Sequence, residues 1–438
     1  MDEATSGAAA RGAVTRTAVT RTAVAASDAG PAVPPEPGPV LSGRLSATMA
    51  LACGVSVANA YFPQAITPLI AAGLRVDPGT AALTATGTQL GYAAGIFLLV
   101  PLGDRLPSRP LILALLGATG AALLSAGLAP SLPVLVTASV IVGAATVVPQ
   151  VLIPLAAGLA GEDRRGAVVG TLQAGLIGGI VLARAFGGLC GQWLGWRAPY
   201  LIAAPLAAAL AVTLARTLPA TGPPPSRARY PALLAAAVRL LVSEPALRRS
   251  CYYQAALFAG FSAAWTSITL LLHGPAYHLG TGAVGLIALV GAGSVLAAPA
   301  AGRWTDRRGP DAVNLAGLLV AGAAAAVLLA GGRGGGLGIV ALCAGMLLLD
   351  LAVQCGQVAN QARILALDPA ARGRLNTAYM TCAFLAGSAG SWLGVRIDTR
   401  LGWAGVCALI GALAAAVLAW HLAGRRPAAG PPRGKESR

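Results

Sequence analysis

Charged side chains are scarce in this sequence, and their scarcity excludes most classes of soluble protein. Asp, Glu, Lys and Arg together make up 11% of the 438 residues, while apolar residues make up 56%. Soluble domains carry about 25% charged residues, and a water-soluble fold cannot bury apolar surface on this scale. A lipid bilayer can, so the composition indicates an integral membrane protein.

Motifs for nucleotide, metal and redox chemistry are also lacking. The chain has no Gly-x-x-x-x-Gly-Lys-Ser/Thr phosphate loop, so ATP is not expected to drive its activity. None of its seven cysteines forms a Cys-x-x-Cys pair, so we expect neither a metal site nor a disulfide framework. A membrane enzyme would need clustered acids, histidines or a nucleophilic pair, and the sequence offers none. We therefore expect no enzyme activity and no cofactor.

The net charge of +16 would fit a nucleic-acid-binding protein, but the distribution of the arginines does not. Such proteins gather basic residues on a polar face, whereas these arginines separate long apolar stretches. Because positive charge stays on the cytoplasmic side of a membrane, the arginines instead indicate orientation. With the amino terminus inside, the outer loops carry only Arg75, Arg197, Arg333, Arg396 and Arg400. We expect a multi-pass protein of the cell inner membrane with both termini in the cytoplasm and no nucleic-acid partner.

Twelve apolar stretches follow one another along the chain, without the alternation of barrel strands. They cover residues 46–72, 80–102, 110–129, 132–158, 167–192, 198–217, 249–273, 281–301, 311–330, 337–362, 374–395 and 402–423. A helix of roughly 20 such residues crosses the bilayer, and helices satisfy their own backbone hydrogen bonds in lipid. The expected fold class is all-α, with twelve transmembrane helices.

The stretches form two groups of six. Residues 1–44 are rich in Ala, Thr, Gly and Pro and predict a disordered cytoplasmic tail. We expect one six-helix bundle over 45–217 and another over 249–423, joined by a polar cytoplasmic loop at 218–248. Residues 424–438 form a short cytoplasmic tail.

The two groups also repeat in sequence. Gln150 precedes an Arg-Gly pair at Arg165 by the same interval that separates Gln357 from the Arg-Gly pair at Arg372. A Gly-Trp pair ending at Trp196 recurs at the same spacing. Parallel repeats related by an axis along the membrane normal place a substrate site between them, near the midplane.

Several segments carry a family signature. The segment Gly302-Arg-Trp-Thr-Asp-Arg-Arg-Gly309 resembles the loop motif of the major facilitator superfamily, and Gly103-Asp-Arg-Leu-Pro-Ser-Arg109 resembles its counterpart in the first half. Residues 58–64 and 349–354 are similar to the drug- and sugar-efflux branch. The resemblance implies two pseudo-symmetric six-helix bundles around a central cavity. It further implies that the loops latch one conformation through Asp104, Arg105, Arg109, Asp306 and Arg307.

The fifth apolar stretch resembles the antiporter motif of exporters in that family. Its glycines are Gly170, Gly179, Gly187 and Gly188, and Ala183-Arg184 occupies the place where the family has Gly-Pro. The resemblance implies that close helix contact at these glycines favours export. Simple packing, compatible with either transport direction, is the alternative.

Two ionisable side chains lie deep in the spans, Arg184 in the fifth and Asp350 in the tenth. A charge at the bilayer centre costs about 2.5–3.5 kcal/mol on insertion scales, so such residues usually face a cavity and find partners. We hypothesise that the two either pair directly or both face the substrate, and that Asp350 carries protons. A structural ion pair that only fixes helix packing is the alternative.

Polar side chains predict the rest of the substrate and proton pathway. Gln354 and Gln357 share one helical face with Asp350. The other candidates are Asn59, Gln150, Gln173 and Trp265. Amides can instead join helices to one another, and that interpretation remains open for any single residue.

These patterns together predict a secondary active transporter. The expected activity is proton-coupled export of a small organic molecule, a drug-like compound or a sugar, by alternating access. Uptake of a small metabolite is the alternative within the class, and a membrane sensor that transports nothing is the alternative outside it. The expected partners are the substrate, protons and the lipid bilayer, and the protein is expected to be a monomer.

Overall fold

The computed structural model describes residues 42–161, 164–220, 229–368 and 371–423, and in this part of the chain the regular structure is helical. The tail predicted over 1–44 lies outside the described residues except at its end, and so does the tail predicted over 424–438. The first helix begins at Gly43, because Ser42 caps it by accepting a hydrogen bond from the Leu45 amide at 3.2 Å.

Seventeen α-helices follow one another over the described residues. The first eight are α1 (Gly43–Ala58), α2 (Phe62–Ala65), α3 (Thr67–Leu74), α4 (Pro78–Ala81), α5 (Leu83–Leu98), α6 (Ser108–Gly127), α7 (Leu132–Ala145) and α8 (Val148–Leu159). The others are α9 (Arg165–Leu194), α10 (Ala198–Thr217), α11 (Tyr230–Ser243), α12 (Pro245–His273), α13 (Thr281–Gly291), α14 (Ala298–Arg308), α15 (Pro310–Gly331), α16 (Gly335–Leu365) and α17 (Arg372–Ala423).

Nine segments of the described chain are long and apolar enough to cross a membrane. The difference from the twelve predicted stretches has local causes. The first stretch is divided into α1, α2 and α3, and the eighth into α13, a 3₁₀ segment and α14. The last two stretches form one 52-residue helix, α17, interrupted only at Gly402, whose φ of 67° a glycine adopts without strain.

The breaks in the first stretch follow from its prolines. Pro63 and Pro68 lie in the first turns of α2 and α3, where a residue without a backbone N–H is tolerated, whereas in a continuous helix each would remove a hydrogen bond. The break leaves the Gln64 carbonyl free to accept a hydrogen bond from the Thr269 hydroxyl of α12, at 3.1 Å. Irregular backbone inside a membrane is tolerated where other protein groups satisfy it.

Glycines let several helices approach backbone to backbone. A Cβ atom on Gly91 of α5 would overlap the carbonyl of Val140 in α7, and one on Gly143 would overlap the carbonyl of Thr88. In lipid, where no hydrophobic force drives helices together, such close packing is a main source of association. Part of the high glycine content, 57 residues in the whole sequence, therefore allows close packing of the spans.

The two halves of the chain meet mainly along two helix pairs, α5 with α17 and α9 with α13. The Thr86 hydroxyl lies 3.2 Å from that of Ser391 across the first pair, and the Thr281 hydroxyl donates to the Gly188 carbonyl at 2.9 Å across the second. Both contacts lie toward the end of the helices opposite Arg105 and Arg307, which we term the seam end. The end with Arg105 and Arg307 is termed the basic end.

A helix also forms inside the predicted connection at 218–248. Residues 221–228 of that connection lie outside the described part, and α11 occupies Tyr230–Ser243. Its buried residues, Leu233 and Ala237, are one helical turn apart and face α17. The Tyr230 hydroxyl donates to the Leu98 carbonyl at the end of α5, so α11 contacts both halves of the chain.

Asn314 and Asn360 form a reciprocal amide pair between α15 and α16. Each side-chain amide donates to the other's oxygen, at 2.9 and 3.0 Å, and both residues are fully buried. Asn314→Ala is expected to leave the Asn360 amide without this partner and to cost about 1–2 kcal/mol of stability. The melting temperature in detergent measures the loss. A double change of both residues to Leu, which removes both polar groups, is the control expected to restore stability, and an unchanged melting temperature in the single variant contradicts the prediction.

Candidate functional site

A buried arginine forms the centre of the site. Arg184 of α9 is 3% exposed. Its Nε and Nη2 atoms donate to the Gln64 side-chain oxygen, at 3.2 and 3.1 Å. Gln64 belongs to the short helix α2, so the break between α1 and α2 brings this acceptor opposite Arg184.

Three aromatic rings surround the Arg184 guanidinium. Its central carbon lies 4.1 Å from the ring centre of Trp265, 5.0 Å from that of Tyr61 and 5.4 Å from that of Phe261. All three distances allow a cation–π attraction, which in a desolvated site is worth about 2 kcal/mol or more. The rings thus compensate part of the cost of burying the charge.

Asp350 of α16 also contacts Trp265. It is 9% exposed, and its Oδ1 atom accepts a hydrogen bond from the Trp265 indole N–H at 3.3 Å. The ion pairs formed by the described residues do not include one between Arg184 and Asp350. Trp265 instead contacts both, offering its ring face to the cation and its N–H to the carboxylate. Of the two hypotheses made from the sequence, this geometry favours two charges that face a shared space.

That shared space is a cavity between the two halves of the chain. Its lining includes Arg184, Asp350, Gln354, Gln357 and the aromatic side chains Tyr61, Phe258 and Phe261. The cavity measures about 70 Å³. Sites for drug-sized ligands measure about 300–1,000 Å³, so a ligand of that size fits only after the surrounding helices separate.

The structure brings together five of the eight residues predicted for the pathway and leaves three elsewhere. Arg184, Asp350, Gln354 and Gln357 line the cavity, and Trp265 contacts both charged residues. Asn59 is buried near the end of α1, Gln150 is half-buried in α8 and Gln173 is exposed on α9. None of these three lines the cavity.

Four residues of the site were not among the predicted ones. Tyr61 and Gln64 lie in a family-like segment of the sequence but were not assigned to the pathway, and neither Phe258 nor Phe261 was predicted. A signal for Phe261 exists, because Phe258, Phe261 and Trp265 are spaced three and four residues apart and therefore share one face of α12. Only the fold shows that this face points toward Arg184.

The four glycines of the motif in the fifth apolar stretch differ in how closely other helices approach them. A Cβ atom on Gly179 would overlap the backbone of Gly54 in α1, and one on Gly187 would overlap Phe62. At Gly188 it would overlap the Thr281 carbonyl of α13, across the two halves. Gly170, by contrast, has open space where a side chain would lie. Other helices therefore approach closely at the last three glycines of this motif and not at the first.

The predicted latch residues make different contacts in the two loops. Arg109 donates to the Ala215 carbonyl near the end of α10, and the positive charge of Arg374 in α17 acts on the Asp104 carboxylate across the two halves. Arg105, Asp306 and Arg307 are exposed at the basic end. The Asp104 carboxylate of the first loop is therefore attracted by a positive charge from the other half of the chain.

The second loop has an ion-pair cluster that the sequence did not predict. Asp311 pairs with Arg249 of α12 at 3.2 Å and with Arg363 of α16. Asp311 follows Asp306 by the same number of residues as Arg109 follows Asp104. The second half of the chain therefore has an acid where the first half has an arginine. Asp311 is accordingly compensated by two arginines, with which it forms charge-assisted hydrogen bonds.

Comparison with known proteins identifies the family. The sequence profile of the Major Facilitator Superfamily matches residues 46–349. This chain belongs to the major facilitator superfamily. It is a membrane transporter by its family, and neither the fold nor the relatives are those of an enzyme.

The superfamily relatives include proteins named as transporters. The chain is 38% identical over 388 residues to the uncharacterized transporter YgaY of Escherichia coli O157:H7, covering 88% of this chain and 97% of that protein. It is 29% identical over 282 residues to a chloramphenicol resistance protein of Streptomyces lividans, covering 60% of this chain and 68% of that protein.

Solved structures confirm the fold. The crystal structure of the nucleoside transporter NupG has a TM-score of 0.70 with this chain at 16% sequence identity, covering 87% of this chain and all of that one. At this identity the likeness concerns the fold alone. It confirms the predicted all-α membrane architecture of the superfamily.

Proposed function

We propose that this superfamily member is a secondary active transporter that exports a small organic molecule, a drug-like compound or a sugar, in exchange for protons. The observation that carries the proposal is the position of Arg184 and Asp350. The arginine comes from the first half of the chain and the acid from the second, and both line one cavity. A relative movement of the halves therefore changes the surroundings of both charges together.

Asp350 has the properties of a proton carrier in this proposal. A buried carboxylate inside a membrane protein is a functional residue by default, because its charge is costly unless it is compensated. In the described structure the compensation comes from the Trp265 N–H and the nearby charge of Arg184. Separation of the halves would weaken the Arg184 contribution and so favour protonation of the acid.

Two further observations support export as the direction. The later glycines of α9 pack closely against α1 and α13, in the segment that resembles the antiporter motif of exporters. A relative is named a chloramphenicol resistance protein, and export of a drug is one means of resistance. We place the basic end in the cytoplasm of the cell, because positive charge stays on that side.

Proton flux in everted membrane vesicles tests the proposal. With an acidic interior established by respiration, addition of a transported compound is expected to cause proton release that depends on this protein. The screen compares sugars, neutral drugs and lipophilic cations against vesicles from cells without the protein. Proton release with at least one compound supports antiport. Release with none of them, by protein shown to be folded and inserted, contradicts it.

A further inference from the structure

Arg184, which lines the cavity, has an unused hydrogen-bonding group. Two of its nitrogens, Nε and Nη2, donate to Gln64, while Nη1 donates to no described residue. An arginine presents five N–H donors in a fixed fork. The geometry thus leaves one edge of the guanidinium available for an acceptor atom on a ligand.

Asp350 has a corresponding unused acceptor. Its Oδ1 atom accepts from Trp265, while Oδ2 lies next to Gly291, where a Cβ atom would overlap it. Gly291 belongs to the cavity lining together with Asp350. The absence of a side chain at this position keeps Oδ2 open to a hydrogen-bond donor on a ligand.

While Asp350 is ionised, the charges around the cavity sum to zero. Arg184 contributes one positive and Asp350 one negative charge, and the remaining lining side chains, such as Gln354, Gln357 and Phe258, are uncharged. An organic ion that moves from water into this cavity loses hydration and gains no net attraction, since the opposite and like charges lie within the same site. The aromatic faces of Tyr61 and Phe261 offer apolar contact instead.

We infer that the cavity takes uncharged aromatic compounds that carry a hydrogen-bond acceptor for Arg184 and a donor for Asp350, and that it rejects organic cations. This inference rests on the proposed exporter function and narrows its substrate class. It also fits proton exchange. A ligand that donates a hydrogen bond to the Asp350 carboxylate stabilises the charged form of that group, so binding of such a ligand displaces the proton from the Asp350 carboxyl to water on the side to which the cavity is open.

Paired transport assays with a neutral and a cationic probe test this inference. Chloramphenicol, an uncharged nitroaromatic alcohol, and the tetraphenylphosphonium cation are compared in everted vesicles. The wild-type protein is expected to release protons with chloramphenicol and not with the cation. If both probes cause equal release, the inference is overturned while the exporter function remains. If no compound of the wider screen causes release, the exporter function itself fails.

Arg184→Gln tests the role of the charge. The change removes the positive charge that repels a cation, so a cation that enters the cavity can take the place of the Asp350 proton without meeting a like charge. Chloramphenicol-driven release is expected to fall roughly tenfold to a hundredfold, the value of one lost charge-assisted hydrogen bond, and the tetraphenylphosphonium cation is expected to become a substrate. Unchanged selectivity in a folded Arg184→Gln protein overturns the inference.

Arg184→Lys is the matched variant, because it keeps the charge while losing the fork of donors. It is expected to reject the cation as the wild type does. Should Arg184→Gln fail to fold, binding to the purified wild-type protein still decides the question. Chloramphenicol is expected to raise the melting temperature of the purified protein in detergent. The tetraphenylphosphonium cation is expected to leave the melting temperature unchanged, and to leave the increase caused by chloramphenicol unchanged as well. A cation that raises the melting temperature equally overturns the inference.

Discussion

Asp350→Asn is expected to abolish substrate-driven proton release in everted vesicles. The amide has almost the same shape as the carboxylate, and its oxygen can still accept the hydrogen bond from the Trp265 indole, 3.3 Å away in the native protein. The fold and the cavity are therefore expected to persist, but the group can no longer gain and lose a proton. Release should fall to the background of vesicles without the protein, while purified Asp350→Asn protein keeps its wild-type melting temperature.

A second acid in the same half of the chain provides the control. Asp398 lies on α17 near the seam end and outside the cavity lining, and Asp398→Asn is expected to leave proton release close to that of the wild type. Undiminished release in Asp350→Asn would show that Asp350 only fixes helix packing. Full recovery of transport when Arg184 and Asp350 are exchanged for each other would likewise exclude a proton carrier at Asp350.

Gly188→Val is expected to reduce transport at least tenfold without unfolding the protein. The reason is its position on the seam between α9 and α13, where any Cβ atom would overlap the Thr281 carbonyl. The Thr281 hydroxyl also donates to the Gly188 carbonyl in this arrangement, at 2.9 Å. A valine separates the two helices at the seam end, so the conformation in which this end is closed becomes costly, and alternating access needs that conformation.

The rate of thiol labelling at the seam end measures this separation of the helices directly. A cysteine in place of Thr86, on the other helix pair of the seam, is introduced into a background in which the native cysteines are replaced. Gly188→Val is expected to increase its labelling rate by an impermeant maleimide. Gly178→Val is the matched control, because Gly178 lies on the same helix and has open space where a side chain would extend. Equal labelling and transport in the two variants would contradict the prediction.

The glycine motif of α9 shows what a sequence pattern can predict and what it cannot. The spacing of glycines predicts close approach, and Gly179, Gly187 and Gly188 do approach other helices. Gly170 matches the same pattern but meets no neighbour. A glycine pattern identifies a helix that can pack closely, whereas the partner at each glycine depends on how neighbouring helices cross.

The candidate site was likewise predictable from the sequence only in part. The two buried charges could be recognised from the sequence because ionisable residues are so rare in the spans. The contact of Trp265 with both charges could not be recognised in this way, since it depends on the rotation of α12 relative to α9 and α16. The helical period places Gln173 on the same face as Arg184, yet the structure leaves it exposed toward the basic end, away from the cavity.

The sequence by itself determined the class of the protein, its all-helical fold and its superfamily, because the apolar composition admits only a bilayer and because short loop motifs need no tertiary context to be recognised. Tertiary structure alone decided which polar side chains meet. Arg184 and Gln64 are far apart in the chain, and their contact depends on the break between α1 and α2. Helix periodicity fixes the face on which a residue lies, but the crossing of helices fixes what that face contacts.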